Sequence, residues 1–390
     1  MPLKDWRKLF VPKPVAGLAD YCLRTDSLVG GNKLELLRDG REAYPAMLAA
    51  IESAKSYIHL ETYILRDGMT ARRFAHSLAD RARAGVPVRL IYDSVGSLKL
   101  SGTYIQHLRN SGIQLLEYRP VEPWRRRWGW DRRDHRKILV VDGRVAFTGG
   151  INIADDYADP AEGGGGWHDV HVRVEGPAAH ELDRLFRALW SAETGRWVRL
   201  DGPAGPVGKS HVHVAANQEF LHRFLIRRAI LHAIANASRR IVIANAYFIP
   251  DGGMRKALYQ ARARGVQVDI LVPSVSDVPA VQYASRRLYA RHLARGLRLH
   301  AWPGPVLHAK AMVVDRSWCA VGSYNFTHRS LHHNLEVNLH VLDAEFAGRL
   351  EDSILEDLRG SGPILAEEWA RRRFSEKFLE AICYPCRHWF

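Results

Sequence analysis

Residues 54–94 alternate two patterns. An apolar helical stretch leads into a β-branched run, SYIHLETYIL; an Ala- and Arg-rich stretch follows, then Gly85 and a second apolar run, VPVRLIYDS. Residues 237–274 repeat that order as SRRIVIANAYFIP, another Ala- and Arg-rich stretch, Gly265 and VQVDILVPS. Glu61 aligns with Asn245, and Gly85 with Gly265. Strands alternating with helices predict an α/β fold, and the recurrence predicts two copies of one unit. The likeness continues in LRNSGIQLLEY (108–118) and LARGLRLHAW (293–302), each a helix turning through Gly into a short strand. A polar, Gly- and Pro-bearing stretch at 201–209 separates the copies, which places the halves at 1–205 and 206–390. PAEGGGG (160–166) reads as a mobile surface loop inside the first half, or as a plain linker.

Each half then carries one polar skeleton on a strand-like run: HRKILVVD (135–142) and HAKAMVVD (308–315), both HxKxxxxD. On an extended strand, positions i and i+2 share a face, so His135 projects with Lys137 and His308 with Lys310. An imidazole beside an ammonium suits a phosphate. These four, with Asp142 and Asp315, form the candidate catalytic set. The aspartates stand an odd seven positions beyond their histidines, and Gly143 follows Asp142 as a turn signal. Both features favour strand-end anchors over proton carriers. Small-residue turns come next, Gly149-Gly150-Ile-Asn152 and Gly322-Ser323-Tyr-Asn325. There, backbone N–H groups, the Asn152 and Asn325 amides and the Ser323 hydroxyl are candidates to hold phosphate oxygens. A nucleophilic histidine needs an acceptor on its second ring nitrogen, and Asp169 in WHDVHVRVEG and Glu336 in NLEVNLHV are the candidates.

Composition changes the picture in three ways. With 390 residues and 47% apolar positions, the chain is long enough for a core in each half, which excludes disorder as its main state. Four cysteines (Cys22, Cys319, Cys383, Cys386) are too few for a disulfide scaffold, and the single Cys383-x-x-Cys386 lacks the second pair of a zinc ribbon. A reducing compartment follows. Against 42 acidic residues stand 56 basic ones, a net charge of +14 that calls for a polyanion, either nucleic acid or an anionic leaflet. No apolar run approaches the ~18 residues of a membrane span. Pro12 interrupts the N-terminal stretch before a signal-peptide core forms, so a soluble or peripheral protein is expected.

The paired motifs with their GG-I-N and GS-Y-N turns resemble the phospholipase D superfamily from Gly31 to about Glu351. GNKLELLRDGREAYPAMLAAI, HLETYIL, DHRKILVVDGRVAFTGGIN, IVIANAYFIP and VGSYNFTHRSLHHNLEVNL are similar to bacterial cardiolipin synthases, of the B-type without an N-terminal transmembrane hairpin. The resemblance implies two α/β/α halves with mixed sheets flanked by helices, related by a pseudo-two-fold axis that unites His135, Lys137, His308 and Lys310. It also implies a phosphohistidine on one histidine and acid/base work by the other. His135 is assigned as nucleophile by analogy, with the reverse left open. Lys137, Lys310, Asn152 and Asn325 would hold phosphoryl oxygens, and Asp169 and Glu336 would orient imidazoles. Phe326-Thr327 follows Asn325 where many relatives carry an acidic residue. No acidic cluster with metal spacing accompanies the motifs, so a mechanism without metal or cofactor is expected, with the lysines stabilising the equatorial oxygens.

The implied reaction joins two phosphatidylglycerol molecules into cardiolipin at the cytoplasmic face of the inner membrane, with the protein held there peripherally. Hydrolysis of phospholipid and cleavage of nucleic acid by the same site are the alternatives, the latter the less favoured. Trp124, Arg125, Arg126, Arg127, Trp128 and Trp130, just ahead of the first motif, read as membrane contacts or as a solvated basic loop. Phe374, Phe378 and Ile382 recur every four residues beside Arg371 to Arg373. They form a stripe suited to a membrane interface or to packing on the core.

Overall fold

The structure is a computed structural model that describes residues 18–121, 131–199, 202–217 and 224–389. Its compact units are Asp26–Val214 with Asn334–Val337, and 215–333 with 338–389 and 18–25. A division at 205/206 does not capture this. The units part inside a strand, and each contains a short segment from the other's stretch of sequence.

In the first unit, β1 (Val29–Arg38), α1 (Asp39–Glu52), β2 (Ile58–Thr62), α2 (Met69–Arg83) and β3 (Val88–Asp93) come first. α3 (Gly102–Asn110), β4 (Gln114–Tyr118), β5 (Ile138–Val141), β6 (Val145–Gly149), β7 (Val170–Glu175), α4 (Pro177–Thr194) and β8 (Ser210–Asn217) follow. The strands lie in the order β8-β1-β7-β6-β5-β2-β3-β4, parallel across β2-β3-β4 and antiparallel elsewhere.

The second unit repeats the plan. α5 (Leu225–Asn236), β9 (Arg240–Asn245), α6 (Gly252–Ala263), β10 (Gln267–Pro273), α7 (Pro279–Arg286), α8 (Tyr289–Ala294) and β11 (Arg298–Trp302) lead to β12 (Lys310–Val314) and β13 (Trp318–Gly322). α9 (His328–His332), β14 (Glu336–Leu342), α10 (Ala344–Arg359), β15 (Gly362–Pro363), α11 (Ala366–Ala370) and α12 (Phe374–Cys383) complete it. Here β9-β10-β11 is the parallel part, and β12, β13 and β14 extend it antiparallel from β9. These are mixed sheets flanked by helices in two matching units, the expected fold class. Among the described residues no helix is long and apolar enough to cross a membrane.

The local causes are legible. In α2, Ala71, Phe74, Ala75, Leu78 and Ala79 are buried at helical spacing while Arg72, Arg73 and His76 are not, so one stripe packs inward. Gly85 and Gly265 end α2 and α6 at φ 84° and 93°, where a Cβ would be strained, which explains their alignment. Leu90 joins the cluster under α1, α2 and α3, whereas its neighbour Ile91 joins Phe186 and Trp190 of α4 on the other face. Pro160–Gly166 is held by backbone hydrogen bonds. Its first residues form a 3₁₀ turn, and the amides of Gly164, Gly165 and Gly166 donate to Asp159, Asp155 and Ala158 carbonyls at 3.0, 2.8 and 3.0 Å.

The aspartate closing each motif sits in the β-turn after the strand. Asp142 and Gly143 have φ 53° and 65°, Asp315 and Arg316 53° and 55°, the positive pair of a type I′ hairpin turn that Asp and Gly adopt most easily. Arg144 N–H and Ser317 N–H close these turns onto Val141 and Val314 at 3.1 Å. Asp142 accepts from the amides of Lys55, Ser56 and Tyr57. Asp315 accepts from the amides of Ser238, Arg239 and Arg240 and from the Ser238 and Tyr21 hydroxyls, all within 2.7–2.9 Å. Their inclusion in the catalytic set is corrected accordingly: each carboxylate anchors the loop entering β2 or β9.

Burial alone would raise the Asp315 pKa, but the Arg240, Ser238 and Arg239 amides and Tyr21 overcome it and hold the carboxyl below its ordinary value. A depressed carboxyl contributes stability above its unfolded pKa of about 4, and that stability is lost as pH falls through the folded value. Asp315→Ala should therefore lower the unfolding free energy by about 2–4 kcal/mol near neutral pH. In urea titrations the gap to wild type should narrow below about pH 4; a gap that widens in acid would contradict the assignment.

Candidate active site

His135 precedes β5 on a segment clipped to a distant stretch of chain. Its amide donates to the Leu335 carbonyl at 3.0 Å, and the Leu335 amide donates to Arg133 at 2.9 Å, a short parallel bridge. The bridge delivers the next residue, Glu336, to the imidazole: His135 Nδ1 lies 3.1 and 3.2 Å from its two carboxylate oxygens. The histidine is 7% exposed and the carboxylate 0%. In so dry a place a carboxylate is costly without donors, and a proton on Nδ1 of His135 supplies one.

Lys137 Nζ donates to the His135 carbonyl at 2.6 Å, so the two motif side chains are brought together. The Tyr63 ring lies edge-on to His135 at 4.9 Å and 5.2 Å from the Lys137 ammonium. Arg136, between them, meets Glu61 at 2.6 Å and Asp134 at 3.1 Å in the buried interior. Burial pushes the Glu61 pKa well up, with the Arg136 charge working against it. Arg136 and Glu61 thus anchor the motif strand to β2. His171 on β7 is pushed down to about 4 by burial; Asp169 opposes this and the Lys137 ammonium adds to it, so His171 is neutral at physiological pH.

The second motif has the same skeleton with a different neighbour. Lys310 Nζ lies 2.7 Å from His308 Nδ1 and also donates to the His308 carbonyl. His308 and Lys310 are 3% and 2% exposed. Tyr247, the counterpart of Tyr63, presents its ring at 87° and 6.4 Å to His308, and its hydroxyl donates to Asp277 at 2.7 Å. An ammonium can only donate, so this neighbour differs in kind from the carboxylate beside His135. The same motif thus has different neighbours at Nδ1 in the two units.

The turn residues do less uniform work. Asn152 accepts from the Ile64 amide at 3.0 Å and donates to the Tyr157 hydroxyl at 2.7 Å, so its oxygen and one of its two N–H groups are committed to holding the turn. Asn325 is buried with its amide oxygen unpaired. Ser323 is fully buried just beyond β13. Asp169 accepts from its neighbour's amide, Val170, at 2.7 Å. A Cβ on Gly150 would come within 2.1 Å of the Asp169 carboxylate, so the second glycine of GG-I-N makes room for that acid. Trp124, Arg125, Arg126, Arg127, Trp128 and Trp130 lie outside the described residues. No group of three or more His, Cys, Asp or Glu suited to a metal ion occurs among the described residues.

Sequence reasoning passed over Tyr63 and Tyr247, although HLETYIL against ANAYFIP holds the signal: each tyrosine stands two places beyond the matched Glu61 or Asn245. It also passed over Arg136 and the Leu335 bridge, for which a single sequence carries no sign.

The family described as cardiolipin synthase, PLD-like domain, matches residues 47–190 and 230–358. The chain belongs to that family. The cardiolipin synthase of Geobacillus thermodenitrificans is 33% identical over 352 residues, spanning 89% of this chain and 70% of that protein. The probable cardiolipin synthase YwiE of Bacillus subtilis is 29% identical over 392 residues, 96% of this chain and 78% of that protein. Among solved structures, the phosphatidylserine synthase of Haemophilus influenzae has the same fold. Its TM-score is 0.67 at 13% identity over 92% of this chain and 95% of that one. The polyphosphate kinase of Porphyromonas gingivalis matches with a TM-score of 0.58 at 17% identity, over 91% of this chain and 52% of that one.

In this member of the cardiolipin synthase family, Gly150→Ala should lower stability by about 1–3 kcal/mol through the collision with Asp169. In a double-mutant cycle most of that loss should vanish on an Asp169→Ala background. Simple additivity of the two changes would show that the glycine serves another purpose.

Proposed function

We propose that the chain is a phosphatidyltransferase that makes cardiolipin from two molecules of phosphatidylglycerol, working peripherally at the cytoplasmic face of the inner membrane. Membership of the cardiolipin synthase family supports the reaction class. The observation that carries the mechanism is the Glu336 carboxylate 3.1 Å from His135 Nδ1.

With that contact, His135 Nε2 attacks the phosphorus of the first lipid. A P–N bond forms as the bond from phosphorus to the headgroup glycerol oxygen breaks, and His308, entering as the imidazolium, gives its Nε2 proton to the departing alkoxide, releasing glycerol and leaving a neutral ring. His308, now neutral at Nε2, takes the proton from a headgroup hydroxyl of the second lipid. That oxygen attacks phosphorus, the P–N bond breaks, and cardiolipin leaves with His135 restored. Glu336 stabilises the positive charge that His135 acquires on attack. The Lys137 and Lys310 ammoniums, both nearly excluded from water, would offset charge on the equatorial phosphoryl oxygens. No step calls for a metal.

Purified protein with phosphatidylglycerol vesicles should yield cardiolipin and glycerol in equal amounts, at a rate unchanged by a chelator. Neither product appearing would reject the reaction. Wild type and His308→Ala should trap an acid-labile phosphatidyl-enzyme and His135→Ala should not; the opposite pattern would exchange the two roles. Glu336→Gln should lower kcat on the order of 10²–10⁴-fold, the range seen when the acid behind a catalytic histidine is neutralised.

A further inference from the structure

Helix α12 is inside out. Phe374, Phe378 and Ile382, spaced four apart on one side, are 81%, 53% and 54% exposed, and Leu379 beside them is 40% exposed. Glu380, on the other side, is 1% exposed. That buried acid is gripped by Arg372 and lies 3.6 Å from Arg286 of α7, which also binds Glu376 at 3.1 Å. Arg372 and Arg286 stack in turn on Trp369, at 3.4 and 5.2 Å from its ring. A helix packing by its apolar stripe would have buried the phenylalanines. This one is held by ion pairs and by Cys383 and Tyr384 at its end, which leaves the stripe outward.

The charge at the rim names the occupant. Glu376 and Glu380 are occupied by arginines on the inner side, whereas Arg371 and Arg373 are exposed at the start of the helix, beside Phe374. An apolar stripe with unneutralised cations at its edge is complementary to an anionic bilayer, with rings at acyl depth and guanidinium groups among phosphates. The same helix leads toward the chemistry. Cys383 and Tyr384 pack on the apolar cluster of Ile249, Val281, Ala284 and Leu288, which Tyr247 also joins, and Tyr247 faces His308.

We propose that α12 is a membrane-docking helix: it lies in the plane of an anionic leaflet on Phe374, Phe378 and Ile382, with Arg371 and Arg373 on lipid phosphates. The proposal rests on the reading that the substrate is a lipid, and it commits to a bilayer as the occupant of the stripe.

The test is co-sedimentation of the full chain with sucrose-loaded vesicles, equimolar phosphatidylglycerol and phosphatidylcholine against phosphatidylcholine alone, all on a His135→Ala background. Binding is then read without turnover, and a failure of the proposed reaction leaves it intact. The combined Phe374→Ser, Phe378→Ser, Ile382→Ser variant should lose about 30-fold or more in partitioning to the mixed vesicles. Arg371→Gln with Arg373→Gln should lose on the order of tenfold there, and nothing on phosphatidylcholine alone. All five side chains are exposed, so thermal unfolding should not shift. Undiminished vesicle binding by the triple serine variant would overturn the proposal. A wild type that ignores vesicles but self-associates through this stripe, and becomes monomeric in the variant, would overturn it in favour of a second copy of the chain.

Discussion

Two histidines in the same sequence motif meet neighbours of opposite charge at Nδ1. A buried carboxylate faces that nitrogen in His135, and an ammonium faces it in His308. A carboxylate can only accept and an ammonium can only donate, so the two rings sit in different electrostatic surroundings without any difference between the rings themselves. The rest of the first unit's architecture near the motif serves that contact. The Leu335 bridge brings Glu336 in, Arg136 fastens the strand to Glu61, and Asp142 ties the strand's far end to the loop before β2.

The repeat supplies the frame, and the two units depart from it at particular matched positions. Both units place a parallel trio of strands beside an antiparallel extension, turn the motif strand through an I′ hairpin and back it with a tyrosine edge. At matched positions the details diverge: Gly150 clears space for Asp169 where the second half has Ser323, Asn152 is committed to its turn while Asn325 keeps a free oxygen, and Arg316 occupies a left-handed position that Gly143 fills without strain.

Much of this was legible in the chain. The period-two apolar runs, the helical Ala and Arg stretches and the glycines at 85 and 265 reflect local physics, so they announced the α/β order directly. The His and Lys pairs were legible because two residues apart on a strand is a purely local relation. The odd offset of Asp142 and Asp315 likewise pointed to anchoring, and their carboxylates are filled by backbone amides. What was not legible depends on distance along the chain. Nothing in NLEVNLHV says that its glutamate meets a histidine 201 residues earlier rather than its own half's motif. PAEGGGG looked mobile because composition does not reveal that its amides find carbonyl partners. Likewise, a four-residue apolar period fits either side of a helix; only the burial of Glu380 shows which side is turned inward.

The segment Asn334–Val337 carries a further meaning. It is contiguous in sequence with one half yet belongs to the compact unit of the other. Each repeat reads as a self-sufficient module, but the early one finishes its reactive ring with a residue borrowed from late in the chain. An insertion or deletion between the two stretches of sequence would therefore disturb the early unit as well as the late one, because residues 334–337 must reach back across the chain to complete it.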